Sequence, residues 1–257
     1  MSTSSPDALG LALAHAWRSG QPLDERAWSL PDDASAYAAQ AVLAAELGWL
    51  QADRPQYWKC GGASRAATLG QSPLAPEGVR EVRGLRHGGD FGDLRLIGAE
   101  AEIALRLGRD VTPEQAAALR PGEAEPLIDA MCVAIEWIAS RWQGGMQADA
   151  RLRLADAQSH GALALGPWQA WKPGHDWAQQ PCELVCGEQR LSGLGGHGLN
   201  DPAWLLAHWL QAATREGRTV AAGSVVTTGA WRVALNLAPG TLAIARFAGL
   251  GELSARN

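Results

Sequence analysis

The sequence predicts an α+β fold in which a small helical N-terminal part precedes a β-rich body. Three observations carry this. Two segments before residue 50 have apolar residues at helical spacing. Beyond residue 95, short apolar or β-branched runs alternate with Gly- and Pro-containing turns. Just one long helical pattern interrupts those runs, where a doubly wound sheet would need a helix after nearly every strand. The 257 residues are 47% hydrophobic and 19% charged, enough apolar side chain for one large domain or a domain with a smaller appendage.

The first predicted helix runs from Asp7 to Arg18, Ala- and Leu-rich and stopped before Gly20. The second has a cap at Pro31-Asp32-Asp33, a stripe through Ala38, Ala41, Val42, Ala45 and Trp49, and Gly48 near its end. Tyr57 to Cys60 reads as a short strand running into Gly61-Gly62-Ala63-Ser64, where glycine permits a turn or a close backbone approach. From Gln71 to Asp93 the text is rich in Pro, Gly and charge, which places a boundary near residue 75: residues 1–75 form the helical part and 76–257 the β-rich body, with a covering segment between.

In that body, Ile97 to Asp110 reads as a strand. Thr112-Pro113-Glu114-Gln115 is a capping box starting a short helix that ends at Pro121-Gly122, and Glu123 to Ala130 reads as a further helix. Met131 to Ile138 is a strand. Asp156 to Gly161 is a polar turn entering an apolar strand, and Glu183 to Ser192 is a hairpin turning at Gly187-Glu188. Asn200-Asp201-Pro202 starts the long helix, with Leu205, Leu206, Trp209, Leu210 and Ala213 as its stripe. Ser224 to Thr228 and Leu242 to Phe247 complete the strands.

Composition narrows the partners. The net charge is −5 and no Lys/Arg cluster occurs, which argues against a nucleic-acid or membrane surface. No apolar run reaches about eighteen residues and Met1 to Asp7 has no leader-like pattern, so the expected location is the cytoplasm. Small molecules and copies of the chain itself remain as partners. Cys182 and Cys186 lack the second Cys/His pair of a tetrahedral site, so the four cysteines read as buried thiols. Twelve tryptophans, among them Trp17, Trp49, Trp204 and Trp209, suit a core or a subunit interface.

Three carboxylates stand out against apolar surroundings. Glu100 and Glu102 are two apart in a strand and so share a face, where they are either solvated together or held by a cation. Glu136 is the lone charge in M-C-V-A-I-E-W-I, and would either pair with Arg141 or join them. Three carboxylates without a set of histidines are the right type and number for Mg²⁺ or Mn²⁺. Lys59, taken alone, reads as a solvated strand residue.

These residues resemble the fumarylacetoacetate hydrolase superfamily, and within it the 2-keto-4-pentenoate hydratase group. The resemblance is carried in order by Ala36-Tyr37-Ala38-Ala39-Gln40, Trp58-Lys59-Cys60-Gly61 with Ser64, Glu100-Ala101-Glu102 with Gly108-Arg109-Asp110, Ile135-Glu136 with Ser140-Arg141, Asp156 to Gly161, Gly196 to Asn200, and Thr228-Gly229. It implies a mixed β-sandwich roll, a metal held by Glu100, Glu102 and Glu136, a 2-oxo acid substrate, Lys59 facing that substrate, and Ser159 and Thr228 hydrogen-bonding its oxygens. Asp156, Gln158 and His160 fit a supporting or water-positioning role.

The chain departs from the group in three places. The turn lacks the group's Asn, Glu77, Glu81 and Asp90 offer no secure counterpart of its covering-segment acid, and Trp231-Arg232 replaces a smaller continuation. The activity implied is hydration of a 2-hydroxy-2,4-dienoate to a 4-hydroxy-2-oxo acid by a homo-oligomer. The alternatives are a 4-oxalocrotonate-type decarboxylase, an acylpyruvate C–C hydrolase with His87 near its water, and a non-catalytic partner subunit.

Overall fold

Both N-terminal helices begin at oxygen-bearing caps. Ser5 accepts from the Ala8 amide at the start of α1 (Pro6–Ser19), and Asp32 accepts from the Ser35 amide at the start of α2 (Asp33–Glu46). The computed structural model describes residues 4–51, 54–82 and 96–257; His87 and Asp90 lie outside them. Further short helices are α3 (Pro113–Ala118), opened by the expected capping box, and α4 (Ala150–Ala155), while α5 (Leu206–Ala213) follows a 3₁₀ turn at Pro202–Leu205.

A nine-stranded mixed sheet forms the body. Along its main path run β2 (Gly70–Pro73), β1 (Tyr57–Gly61), β10 (Val225–Thr227), β4 (Leu96–Leu107), β5 (Ile128–Ala139), β6 (His160–Leu165) and β3 (Val79–Glu81); β7 (Gln169–Ala170) pairs with β5 and β11 (Arg232–Leu235) with β4. A second, antiparallel sheet has the order β13 (Gly251–Arg256), β12 (Leu242–Phe247), β8 (Pro181–Cys186), β9 (Gln189–Leu194). The two sheets and α5 enclose the main core, which includes Trp209, Trp231 and Phe247. Helices α1, α2 and α4 share a second core with Trp49 and Trp142. This is the mixed β roll with a helical front that the sequence implied.

The differences are local. Glu123–Ala130 is no α-helix: it holds a single 3₁₀ turn at Glu125–Leu127, after which the chain becomes β5 at Ile128 and pairs with Leu107. The Gln71–Asp93 stretch supplies parts of β2 and β3, and β1 and β2 run in the large sheet although the division near residue 75 counts them with the helices. β11 and β13 were not foreseen. All four cysteines are buried thiols, and no helix among the described residues is long and apolar enough to cross a membrane.

The pleat sorts the residues of β4 and β5. Ala99, Ala101, Ile103 and Leu105, with Met131, Val133, Ile135 and Trp137, enter the core between the sheets. Glu100, Glu102 and Glu136 therefore project from the opposite face, and the register sets Glu100 directly across from Glu136. On β1, Trp58 and Cys60 face the same core, so Lys59 projects to the side of the carboxylates.

Candidate active site

The three carboxylates meet. One oxygen from each of Glu100, Glu102 and Glu136 lies within 4.8 Å of the other two. Glu102 and Glu136 are buried and Glu100 is half-buried, which removes the reading of a solvated strand face. Lys59 is no solvated edge residue either: β1 lies between β2 and β10, and its ammonium donates to Glu136 Oε1 at 2.7 Å and to the Gln158 carbonyl at 3.3 Å. Glu136 also takes the Nδ1 side of His160 at 3.0 Å. Arg141, its alternative partner from sequence, is committed to Asp156 instead.

Electrostatics follow from this crowding. Burial disfavours the Lys59 ammonium, but Glu136, Glu100 and Glu102 outweigh it and hold its pKa above the usual lysine value. Burial likewise opposes ionised Glu136, yet Lys59 and His160 draw it down to about 2. Glu102 is pushed well above the carboxylate range by burial and by repulsion from Glu136 and Glu100, and Glu100 is raised by burial. Three carboxylates and one ammonium leave net negative charge in a place with little water, a cost that a divalent cation would remove. The donor set fits such a cation: all are hard oxygens, and Glu136 Oε2 is buried with no partner among the described residues.

Glycine shapes the rest of the rim. Gly229, at φ 103°, turns its amide onto Glu102 Oε2 at 2.9 Å, a backbone conformation that L side chains rarely adopt. Gly61 and Gly62 serve close approach: the Gly229 Cα lies 3.3 Å from where a Cβ on Gly61 would stand.

The Asp156 to His160 turn is the most constrained part of the site. Ala157, Gln158 and Ser159 all have positive φ, at 47°, 52° and 60°, and each such non-glycine residue costs about 1–2 kcal/mol. Arg141 holds the turn shut. Its Nε and amide donate to the Asp156 carboxylate at 2.5 and 2.9 Å, its Nη1 to the His160 carbonyl at 2.7 Å, and its guanidinium lies 4.2 Å from the Trp17 ring. The turn thereby presents the Gln158 carbonyl to Lys59 and lines the cleft with Ser159, whose buried hydroxyl has no partner among the described residues.

A cleft of about 530 Å³ lies over these groups, between the sheet face and helices α2 and α4, a size suited to a small molecule. It brings together Lys59, Glu100, Glu102, Ser159 and Thr228 of the residues implied by the sequence. The Thr228 hydroxyl donates to the Ile103 carbonyl at 2.8 Å, whereas that of neighbouring Thr227, which also lines the cleft, is buried and has no partner among the described residues. Thr227, Arg153 and Tyr37 were not singled out as site residues. Arg153 carried one available signal: Ala150, Arg153 and Leu154 stand at i, i+3 and i+4 and share a helix face. His197, within the Gly196–Asn200 motif, also lines the cleft; its Nε2 lies 2.6 Å from the Thr228 carbonyl, and burial lowers its pKa to about 4.

Comparison with known proteins agrees with this architecture. The model of the fumarylacetoacetate (FAA) hydrolase C-terminal family matches residues 51–256. Among curated proteins, none matches the chain in sequence. The fold is similar to 4-oxalocrotonate decarboxylase from Pseudomonas putida G7, solved with magnesium and adipate, with a TM-score of 0.75, 21% identity, and coverage of 98% of this chain and 96% of that one. Fumarylpyruvate hydrolase from Pseudomonas aeruginosa, solved with Mn²⁺ and pyruvate, has a TM-score of 0.54 at 15% identity, over 80% of this chain and 91% of that one. For 2-hydroxyhepta-2,4-diene-1,7-dioate isomerase from Mycobacterium marinum the values are 0.54, 16%, 78% and 73%.

Proposed function

Because the chain belongs to the fumarylacetoacetate hydrolase family, we propose that it is a divalent-metal-dependent hydratase converting a 2-hydroxy-2,4-dienoate into a 4-hydroxy-2-oxo acid. The observation that carries this is the placement of Glu100, Glu102, Glu136 and Lys59 together on one sheet face, with Lys59, Glu100 and Glu102 lining the cleft above it. Mg²⁺ or Mn²⁺, held by the three glutamates, supplies Lewis-acid stabilisation to a 2-oxo acid and to the enolate charge developed from it.

The chain's own residues do the remaining work. Lys59 enters as the ammonium, donating to Glu136 Oε1 at 2.7 Å, and so acts first as a proton donor. For 2-hydroxypenta-2,4-dienoate, the parent compound of the class, the ammonium delivers a proton to C5 while the 2-hydroxyl releases its own to solvent, which gives the 2-oxo-3-enoate. Lys59, now an amine, takes a proton from water as the oxygen adds at C4, and C3 takes from solvent a proton that replaces the one released by the 2-hydroxyl, completing 4-hydroxy-2-oxopentanoate. Ser159 and Thr227, whose hydroxyls have no partner among the described residues, would donate to substrate oxygens, and Thr228 lines the same wall.

A second reading has a specific observation in its favour: near-complete coverage in both directions against a 4-oxalocrotonate decarboxylase. Loss of CO₂ from a vinylogous β-keto acid passes through the same dienolate and needs the same floor. C–C hydrolysis of an acylpyruvate ranks third, since it needs a base for the attacking water and a lone histidine such as His87 is more often a surface loop residue. A non-catalytic partner subunit ranks last, because a scaffold has no need to bury three carboxylates. We further propose that the chain acts in the cytoplasm, which its four unpaired thiols support. It would work there as a homo-oligomer of two or more copies, which exposed Leu194, Val233 and Leu235 support.

The test is turnover of 2-hydroxypenta-2,4-dienoate, 4-oxalocrotonate and an acylpyruvate with Mg²⁺ or Mn²⁺, products resolved by NMR. Hydration of the dienoate, which tests the reaction on the parent compound without a tail beyond C5, is expected. Release of CO₂ from oxalocrotonate without hydration would transfer the assignment to the decarboxylase, and silence on all three with no metal bound would leave the partner subunit.

A further inference from the structure

The floor of the cleft is balanced in charge once it holds a divalent cation, since three carboxylates face one ammonium there. A further cation stands elsewhere in the same cleft. Arg153 lines it from α4, half-buried, with its Nε donating to the Ala148 carbonyl at 3.1 Å. Among the described residues no carboxylate pairs with it. Asp33 at the rim is exposed and associates with Arg151 instead, at 3.5 Å. Other cleft-lining side chains, Leu69, Met146 and Leu154, are apolar and suit a hydrocarbon chain.

We propose that Arg153 is the specificity-determining residue for the far end of the substrate, and that this substrate is a 2-oxo acid ending in a second carboxylate, which the guanidinium binds. The inference rests on the 2-oxo acid reading above and deepens it. A guanidinium offers a carboxylate two parallel donors. Among the described residues its one committed N–H, on Nε, leaves both terminal nitrogens of Arg153 available. A tail ending in methyl would leave that cation without a counter-charge beside apolar walls, whereas a tail ending in carboxylate pairs with it.

Two stable probes with the same six-carbon chain, 2-oxoadipate and 2-oxohexanoate, differ only at that end. Calorimetric titration of each into the Mg²⁺-loaded protein should give about tenfold or greater tighter binding of 2-oxoadipate, the range of a charge-assisted hydrogen bond. Arg153→Met should bring 2-oxoadipate down to the level of 2-oxohexanoate and leave the latter unchanged, which also shows that the variant is folded. Arg153→Lys should recover part of the preference. Equal or weaker binding of 2-oxoadipate by the unaltered protein, a comparison that needs no variant, overturns the tail assignment and leaves the 2-oxo acid reading intact. So does a preference that survives in Arg153→Met. Binding of neither probe while Mg²⁺ binds overturns the 2-oxo acid reading and this inference with it.

Discussion

Arg141→Met isolates the clamp that holds the strained turn. Methionine keeps an apolar stem over Trp17 and removes the charge and the side-chain donors to Asp156 and the His160 carbonyl. Asp156 is fully buried and would keep just the residue-141 amide as a partner for its carboxylate. Breaking a buried ion pair costs about 3–5 kcal/mol. The carboxyl can escape by taking up a proton, at about 1.4 kcal/mol for each pH unit above an ordinary value of about 3.9, so the penalty is capped near ~4 kcal/mol at pH 7.

The sign of the pH dependence follows. Burial already holds the Asp156 pKa above its usual value despite Arg141. In the variant it rises further, so the penalty is absent below about pH 4 and grows as pH rises toward the folded-state pKa. At about 2–4 °C per kcal/mol for a chain of this size, Tm should fall by about 8–15 °C at pH 7.5 and by about 3–6 °C at pH 5. Differential scanning calorimetry at the two pH values reads this directly.

Function should divide in the same variant. Glu100, Glu102 and Glu136 stand on β4 and β5, outside the turn, so Mn²⁺ affinity should stay within about threefold, well under the 1.4 kcal/mol of a tenfold change. Relaxation of residues 157–159 should remove the Gln158 carbonyl from Lys59 and displace Ser159, lowering kcat by about 100-fold. Equal losses of Tm at pH 5 and pH 7.5, or loss of Mn²⁺ binding together with the turn, would refute the clamp.

Glu102→Gln should weaken Mn²⁺ binding on the order of 100-fold, since affinity follows ligand charge. It should also raise the metal-free Tm at pH 7.5, because a carboxyl with a raised folded-state pKa is destabilising when ionised; calorimetry with and without Mn²⁺ checks both, and unchanged affinity sinks the metal assignment. Lys59→Met should retain the metal and lower kcat by about 100- to 10,000-fold; a variant with full kcat would remove the ammonium from the chemistry. Thr227→Val should raise KM with little change in Tm, its hydroxyl having no protein partner, whereas Thr228→Val should cost about 1 kcal/mol through the lost bond to Ile103; the reverse pattern in steady-state and melting data would exchange their roles.

What could be read in advance was what residue type and strand period fix by themselves. A carboxylate in an apolar strand is costly whatever surrounds it, and the period of two sets the face of Glu100 and Glu102 without knowledge of any partner. Partner identity was another matter. Nothing in the order of residues says that Glu100 stands opposite Glu136, or that Lys59 stands beside Thr227, because register is decided between strands far apart in the chain. The same limit explains the errors. Glu123–Ala130 has helix-forming composition, but Pro126 and the pairing of Ile128 with Leu107 draw it into β5. The short strands β2 and β3 carry no period of their own and are extended because β1 and β6 lie beside them. The turn at 157–159 bends through three left-handed residues without glycine or asparagine, so its shape comes from Arg141, outside the turn altogether. Ala157, Gln158 and Ser159 would thus adopt a different path in isolation, and the position of Ser159 in the cleft belongs to a contact 15 residues apart in the chain, that of Arg141 with Asp156.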